Sequence, residues 1–299
     1  MHKIPYYIKL LKFRLSSVVV FSAIAGYMLG FNQFNSIDFL FVVLGGFLIT
    51  GSANALNQIF EKEHDKLMQR TFERPLPQGN LSVINAVIFS LIIGFIGLYL
   101  LNLINPETSY FGLISKSCFF GFISVLLYVF AYTPLKRIST ISIFVGAIPG
   151  AIPFLLGWVA ATDDFGLSAG MLFGIQFFWQ FPHFISIAWV QDQEYKKAGF
   201  KMLFGGNKNK HPAIISIITS LCMLTLSITP FFWSQVDFKL NSYVAFILVL
   251  LLGIWFTFKS FDLYKYQNDV SAKKLMFSSF IYLPLLQIIY VIDRATFFY

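Results

Sequence analysis

The chain reads as an all-α integral membrane protein of about nine transmembrane helices in one bundle, and three observations carry that reading. It is 57% hydrophobic and only 12% charged, with a mean hydropathy of +0.70, a balance foreign to ordinary soluble domains. Apolar runs close to the ~20 residues that cross a bilayer recur along its whole length. The basic residues collect between alternate runs, as they do in proteins threaded through a membrane. A closed β-barrel needs short alternating segments, and these are absent.

The first span is placed at residues 15 to 31. Lys3, Lys9, Lys12 and Arg14 precede it, and without a small-residue cleavage site it reads as a retained span and not a signal peptide. The second, 37 to 60, stays apolar until its end, where acidic residues follow. The third and fourth, 83 to 104 and 111 to 132, are long apolar runs, with Lys116 near the start of the latter. Gly146, Pro149, Gly150 and Pro153 punctuate the fifth, 139 to 161. They either bend the helix around a bulky group or let neighbours pack closely. The sixth, 167 to 190, contains Pro182 and His183, and runs at 212 to 234, 241 to 259 and 275 to 293 complete the set. No low-complexity linker divides the chain, so residues 1–299 read as one domain.

Of the 22 lysines and arginines, only Lys116, Lys239 and Arg294 fall outside the N-terminal side of this arrangement. The positive-inside rule therefore puts the N-terminus in the cytoplasm and, with an odd span count, the C-terminus outside. The net charge of +8 is then a membrane-surface property that also attracts anionic headgroups, and nothing resembles a nucleic-acid module. Cys118 and Cys222 both lie in spans and lack the spacing of a zinc or redox motif.

The densest chemistry lies in residues 54 to 79, NALNQIFEKEHDKLMQRTFERPLPQG. Asn57, Glu61 and Asp65 stand at i, i+4 and i+8, so on a helix each is turned only about 40° from the last and all three oxygens share a face. Such a row suits Mg²⁺, which prefers oxygen ligands and is usually held by one or two carboxylates together with substrate phosphates. Arg70 and Arg74 follow as bidentate phosphate donors. The other reading is a solvated helix end paired with nearby lysines.

A second polar stretch, residues 177 to 203, also follows a span. Asp192 and Glu194 supply carboxylates and Lys196 a cation, so two acidic helix ends could bracket a diphosphate through two metal ions. The inner loop 132 to 140, YTPLKRIST, adds Lys136 and Arg137 at the same depth, although basic inner loops are also what the positive-inside rule alone produces.

Taken together, NxxxExxxD with RTxxRPLPxG, then YTPLKR followed by GAIPGAIPFLLGW, then FxWQxPHF with EYxxAG resemble the UbiA superfamily of intramembrane prenyltransferases, over roughly residues 10 to 290. Within it the chain is similar to the branch that farnesylates haem. The resemblance implies transfer of a farnesyl group from farnesyl diphosphate to a vinyl group of haem B, with water added, in a multi-pass inner-membrane enzyme whose site faces the cytoplasm. It also implies Mg²⁺ on Asn57, Glu61 and Asp65, a second metal on Asp192 and Glu194, and diphosphate contacts from Arg70, Arg74, Lys136, Arg137 and Lys196. Two departures stand out. The middle position of the first motif is Glu61 where Asp is common, and Asp192 is followed four residues later by Lys196 instead of a second Asp.

His183 sits in an apolar span, where an imidazole needs a partner. It reads as an axial haem ligand, a donor to a haem propionate, a base for the added water, or a structural histidine bonded to a neighbouring helix. Among the 37 phenylalanines, those that stabilise a cation or line a prenyl channel cannot be told from those that face lipid. Two rival functions remain. One keeps the fold but takes an aromatic acid or quinone precursor as acceptor. The other is a transporter, against which the charges cluster at helix ends and not at the midplane. A partnership with a haem A synthase or a terminal oxidase is a family-level expectation.

Overall fold

A computed structural model describes residues 3–109 and 112–298. Among these residues it contains helices and no strand. A short helix, α1 (Ile4–Leu10), leads into α2 (Phe13–Gly30), α3 (Ser36–Phe60) and the single turn α4 (Lys62–Asp65). Next come α5 (Val83–Asn102), a 3-10 turn (Pro106–Thr108), α6 (Lys116–Leu126), a π-helical turn (Leu127–Tyr132) and α7 (Thr133–Ile138). The chain ends with α8 (Ser142–Thr162), α9 (Leu167–Val190), α10 (Asp192–Lys197), α11 (Lys210–Phe232), α12 (Tyr243–Tyr266) and α13 (Asp269–Phe298).

Eight of these helices or helix runs are long and apolar enough to cross a membrane. The sixth expected span, α9, matches its predicted residues but is more polar, since Gln176, Gln180 and His183 lie along it. Its length of 24 residues and its packing between α8, α11 and α13 make it a ninth member of the bundle. The protein is therefore an all-α, multi-pass membrane protein.

Several sequence boundaries need correction, the last two spans among them, since α12 runs on to Tyr266 and α13 already begins at Asp269. Of the fourth span, 111 to 132, Phe111 lies outside the described residues, and the helical run extends past the predicted end to Ile138. YTPLKR is thus helix and not loop. Pro134 directly follows the π-helical turn, where the ordinary i→i−4 bonding is already shifted, and the helix passes through it. Likewise the predicted loop from 191 to 211 contains α10.

Helix starts follow from capping side chains. Asn35, Ser82, Ser115, Asn209 and Ser242 each accept a hydrogen bond from a backbone N–H in the first turn of the helix that follows. Packing then divides the bundle into neighbours. α2 lies against α3 and α8, α3 against α5, and α6 against α5 and α8. α9 joins α8 to α11 and α13, while α12 bridges α11 and α13, and α13 returns to α2. The α2–α8 contact is close because Gly157 faces the Ala23 carbonyl, where an added Cβ would collide with backbone. This closure leaves an apolar cavity of about 460 Å³ walled by α2, α3, α8, α9, α13 and the π-helical turn.

Candidate active site

α3 ends at Phe60 because Glu61 leaves helical torsion (φ −95°, ψ 2°), and α4 restarts at Lys62. The break does not throw the polar row out of register. Glu61 N–H donates to the Asn57 carbonyl at 3.0 Å and Asp65 N–H to the Glu61 carbonyl at 2.8 Å. Asn57, Glu61 and Asp65 consequently share one face, and all are buried, with Asp65 at 0% exposure. A solvated helix end is ruled out for this row.

Buried carboxylates need partners, and here one comes from nine residues further on and the other from a separate helix. Arg74 Nη1 donates to Asp65 Oδ2 at 2.7 Å. Lys136 Nζ pairs with Glu61 Oε1, and its ammonium also lies 4.7 Å from the centre of the Tyr132 ring. Asp65 Oδ1 remains buried with no hydrogen-bond partner. Burial pushes the Asp65 carboxyl above its ordinary value even against the pull of Arg74.

The amide of Asn57 is oriented by its neighbour. Thr133 gives its one hydroxyl proton to the Tyr128 carbonyl at 2.8 Å, so it must accept from Asn57 Nδ2 at 3.0 Å. Asn57 Oδ1 is left free of hydrogen bonds among the described residues. The π-helical turn is what brings Thr133 to this place, a use of such turns that recurs at functional sites. The site therefore holds an amide oxygen and a carboxylate oxygen, both without a donor, next to a second carboxylate. That hard-oxygen donor set, with one oxygen buried and unsatisfied, fits Mg²⁺.

One participant was not singled out from sequence. Lys12, at the junction of α1 and α2, is half-buried and has a left-handed backbone (φ 47°). It feels the charges of Arg74, Glu61, Lys136 and Asp65, and burial, followed by the repulsion of Arg74, pushes its ammonium down to about 7. In sequence it is one more flanking lysine, and no motif separates it from Lys9.

The second acidic stretch is arranged differently. Asp192 Oδ2 accepts from Lys196 Nζ at 2.8 Å, and Glu194 Oε1 from Lys197 Nζ at 2.8 Å, both within α10. Glu194 Oε2 also accepts from the Gln69 N–H at 2.6 Å, bracing the loop that carries Arg70. These bonds, with the Lys197 bond foremost, hold the Glu194 carboxyl below its usual value. Arg70 stands 6.0 Å from the Tyr195 ring centre. Arg137 is exposed and makes no side-chain hydrogen bond or ion pair among the described residues, and Lys196 is committed to Asp192. No group of three or more His, Cys, Asp or Glu side chains gathers as a metal site among the described residues, so the two acidic stretches do not merge into one cluster.

The polar ends of the bundle are nevertheless stitched together. Besides Gln69 to Glu194, His64 Nδ1 bonds the Ala198 carbonyl at 3.0 Å and the Lys201 N–H donates to the Lys136 carbonyl at 2.6 Å. Tyr132 joins this polar end to the cavity, since it lines the cavity and also faces Lys136. The glycines of α8 make room for that wall. A Cβ at Gly146 would meet the Tyr132 ring, and one at Gly150 the Gln180 amide, so the small residues serve close packing of functional side chains. On the opposite wall, His183 stacks on Trp179 at 4.6 Å and bonds Ser279.

Comparison with known proteins agrees with this architecture. The UbiA prenyltransferase family matches residues 19–281. A protoheme IX farnesyltransferase of Flavobacterium psychrophilum is 46% identical over 284 residues, covering 94% of this chain and 91% of that protein. One of Cytophaga hutchinsonii is 44% identical, covering 96% and 97%. Among solved structures, digeranylgeranylglyceryl phosphate synthase is similar with a TM-score of 0.80 at 21% identity, covering 99% of this chain and 100% of that one. A UbiA homolog from Archaeoglobus fulgidus bound to GPP and Mg2+ is similar with a TM-score of 0.68 at 14% identity, covering 96% and 99%. The last two are similar in fold.

Proposed function

The chain belongs to the UbiA prenyltransferase family, and on that footing we propose that it transfers the farnesyl group of farnesyl diphosphate to a vinyl group of haem B, with addition of water, giving haem O and diphosphate. One observation carries the prenyl-diphosphate part. A buried oxygen row flanked by bases adjoins an apolar cavity, so the two unlike ends of a single substrate are each provided for. The haem acceptor is supported by the likeness to protoheme IX farnesyltransferases.

Asn57, Glu61 and Asp65 would hold Mg²⁺, which when bound would supply Lewis-acid stabilisation of the charge that grows on the departing diphosphate. Arg74, Lys136 and Lys12 surround the same place and stabilise that charge further as the bond to the first farnesyl carbon breaks. Arg70 contributes from the loop braced by Glu194, and Arg137 and Lys196 approach only if their present positions change. A second metal on Asp192 and Glu194 would compete with Lys196 and Lys197, which pair with those carboxylates on the helix surface.

The bond electrons leave with diphosphate, and an allylic cation remains in the cavity among Tyr128, Tyr132 and other aromatic rings. The vinyl group attacks it, positive charge settles beside the conjugated macrocycle, and water closes the reaction by forming a C–O bond and losing a proton. The basic residues support placing the N-terminus and the polar site on the cytoplasmic side, and an inner membrane and an association with haem A synthase or a terminal oxidase are part of the same reading.

Detergent-solubilised protein with haem B, farnesyl diphosphate and Mg²⁺ tests the proposal by mass spectrometry. A product heavier by one farnesyl group plus water, absent for Asp65→Ala, is expected. Turnover only when an aromatic acid replaces haem would overturn the acceptor and keep the family chemistry.

A further inference from the structure

The cavity wall contains one imidazole, and its hydrogen bonding fixes which nitrogen is left open. Ser279 Oγ gives its single proton to the Met276 carbonyl at 2.6 Å. Its contact with His183 Nδ1, at 2.8 Å, must therefore be one in which the hydroxyl accepts. Nδ1 carries the hydrogen, and Nε2 is left with a lone pair. His183 has no other side-chain hydrogen bond among the described residues, although it is only partly buried and lines the cavity.

Everything around the ring holds that nitrogen in place. Trp179 stacks on it at 4.6 Å with planes 17° apart, and the Trp179 indole N–H is itself anchored on the Ser279 carbonyl at 3.1 Å. Phe280 meets the ring edge-on at 5.4 Å. A neutral imidazole fixed by a hydrogen bond on one nitrogen, with the other free, is how proteins present histidine to a metal. The surroundings also suit a flat apolar disc. Leu15, Val18 and Phe280 in the cavity wall are 48%, 56% and 48% exposed, so the cavity opens sideways towards lipid.

We propose that His183 Nε2 binds the iron of the haem substrate as an axial ligand, fixing the macrocycle in the cavity so that a vinyl group is held before the farnesyl cation. This rests on haem being the acceptor. The bond is a positioning one, in which Nε2 donates its lone pair to iron and no electron or proton is transferred. Ser279 acts through His183 by holding its tautomer.

The test is to titrate ferric haem B into detergent-solubilised wild type, His183→Ala and Ser279→Ala while recording the Soret band and electron paramagnetic resonance. Wild type is expected to show nitrogen-ligated haem. His183→Ala should show the spectrum of unligated haem and a KM for haem raised about tenfold or more, with KM for farnesyl diphosphate unchanged. Added imidazole should restore the spectrum, which a misfolded variant would not allow. Ser279→Ala should weaken haem binding less than His183→Ala, with the ligated spectrum retained. An identical spectrum for His183→Ala and wild type, with haem still farnesylated, overturns the axial bond and leaves the reaction standing. Failure of wild type to bind haem while an aromatic acceptor is prenylated overturns both.

Discussion

The bundle carries two acidic helix ends that look alike in sequence and differ in kind once folded. Asn57, Glu61 and Asp65 are buried, and their partners Arg74, Lys136 and Thr133 come from other elements. Asp192 and Glu194 take lysines three and four residues away on their own helix, in pairs of the sort that stabilise a helix surface weakly. In the first region burial prevents water from satisfying what protein leaves open, and Asp65 Oδ1 has no hydrogen-bond partner. Screened from such demand, the second region spends its carboxylates on local pairing and on the Gln69 N–H. Carboxylate count and spacing are alike in the two regions; burial, and one carboxylate oxygen left without a donor, set the first apart.

Substitution in each region sharpens this contrast. Asp65→Ala should lower turnover by about 10²–10³-fold, the scale seen when one transition-state charge stabiliser is removed, whereas Asp192→Ala should cost less than about tenfold. Equal losses in a steady-state assay would mean that the second stretch also holds metal. Arg74→Ala leaves a buried carboxylate unpaired and should both cut turnover and destabilise the protein by about 3 kcal/mol, measured by thermal unfolding in detergent.

Lys12 gives the first region a pH signature. Its ammonium is charged below about 7 and neutral above it, and a bound diphosphate favours the charged form. KM for farnesyl diphosphate should therefore climb as pH rises above 7, by at most about tenfold per unit. Lys12→Arg should flatten that rise, and a profile unchanged by the substitution would remove Lys12 from the site.

In the second region, Glu194 is held below its usual carboxylate value, so the stability it contributes is present above about 4.5 and is lost as pH falls further, through its lowered value. Glu194→Gln should be slightly less stable than wild type at pH 7 and indistinguishable from it in strong acid. The smallest effect is expected at Arg137, which is exposed and unpaired among the described residues. Its replacement by Ala should change turnover less than about twofold, as surface substitutions do.

Membrane setting, helix placement and the first acidic row were legible because each depends on local chain properties. An apolar run must be helical to satisfy its backbone in lipid, and a period of four puts oxygens on one face. The family was legible for a similar reason, since its motifs are contiguous. Helix ends were less so, as at Pro134, where a proline that follows a π-helical turn within a continuous helix looked like a loop.

Pairing was decided only by tertiary structure. Nothing near Asp65 or Glu61 in sequence says that Arg74 and Lys136 reach them while Arg137 does not. No motif marks Lys12, which sits among the charges of Arg74, Glu61 and Asp65, or Thr133 and Ser279, whose hydroxyls set the free atoms of Asn57 and His183. Those assignments depend on where a hydroxyl proton goes and which side chains the packed helices exclude from water. Sequence alone settled which residue types sit in the membrane and at its edge, because hydropathy and periodicity are properties of single segments. Which oxygen and which nitrogen are left open arises between segments, and only the fold could decide it.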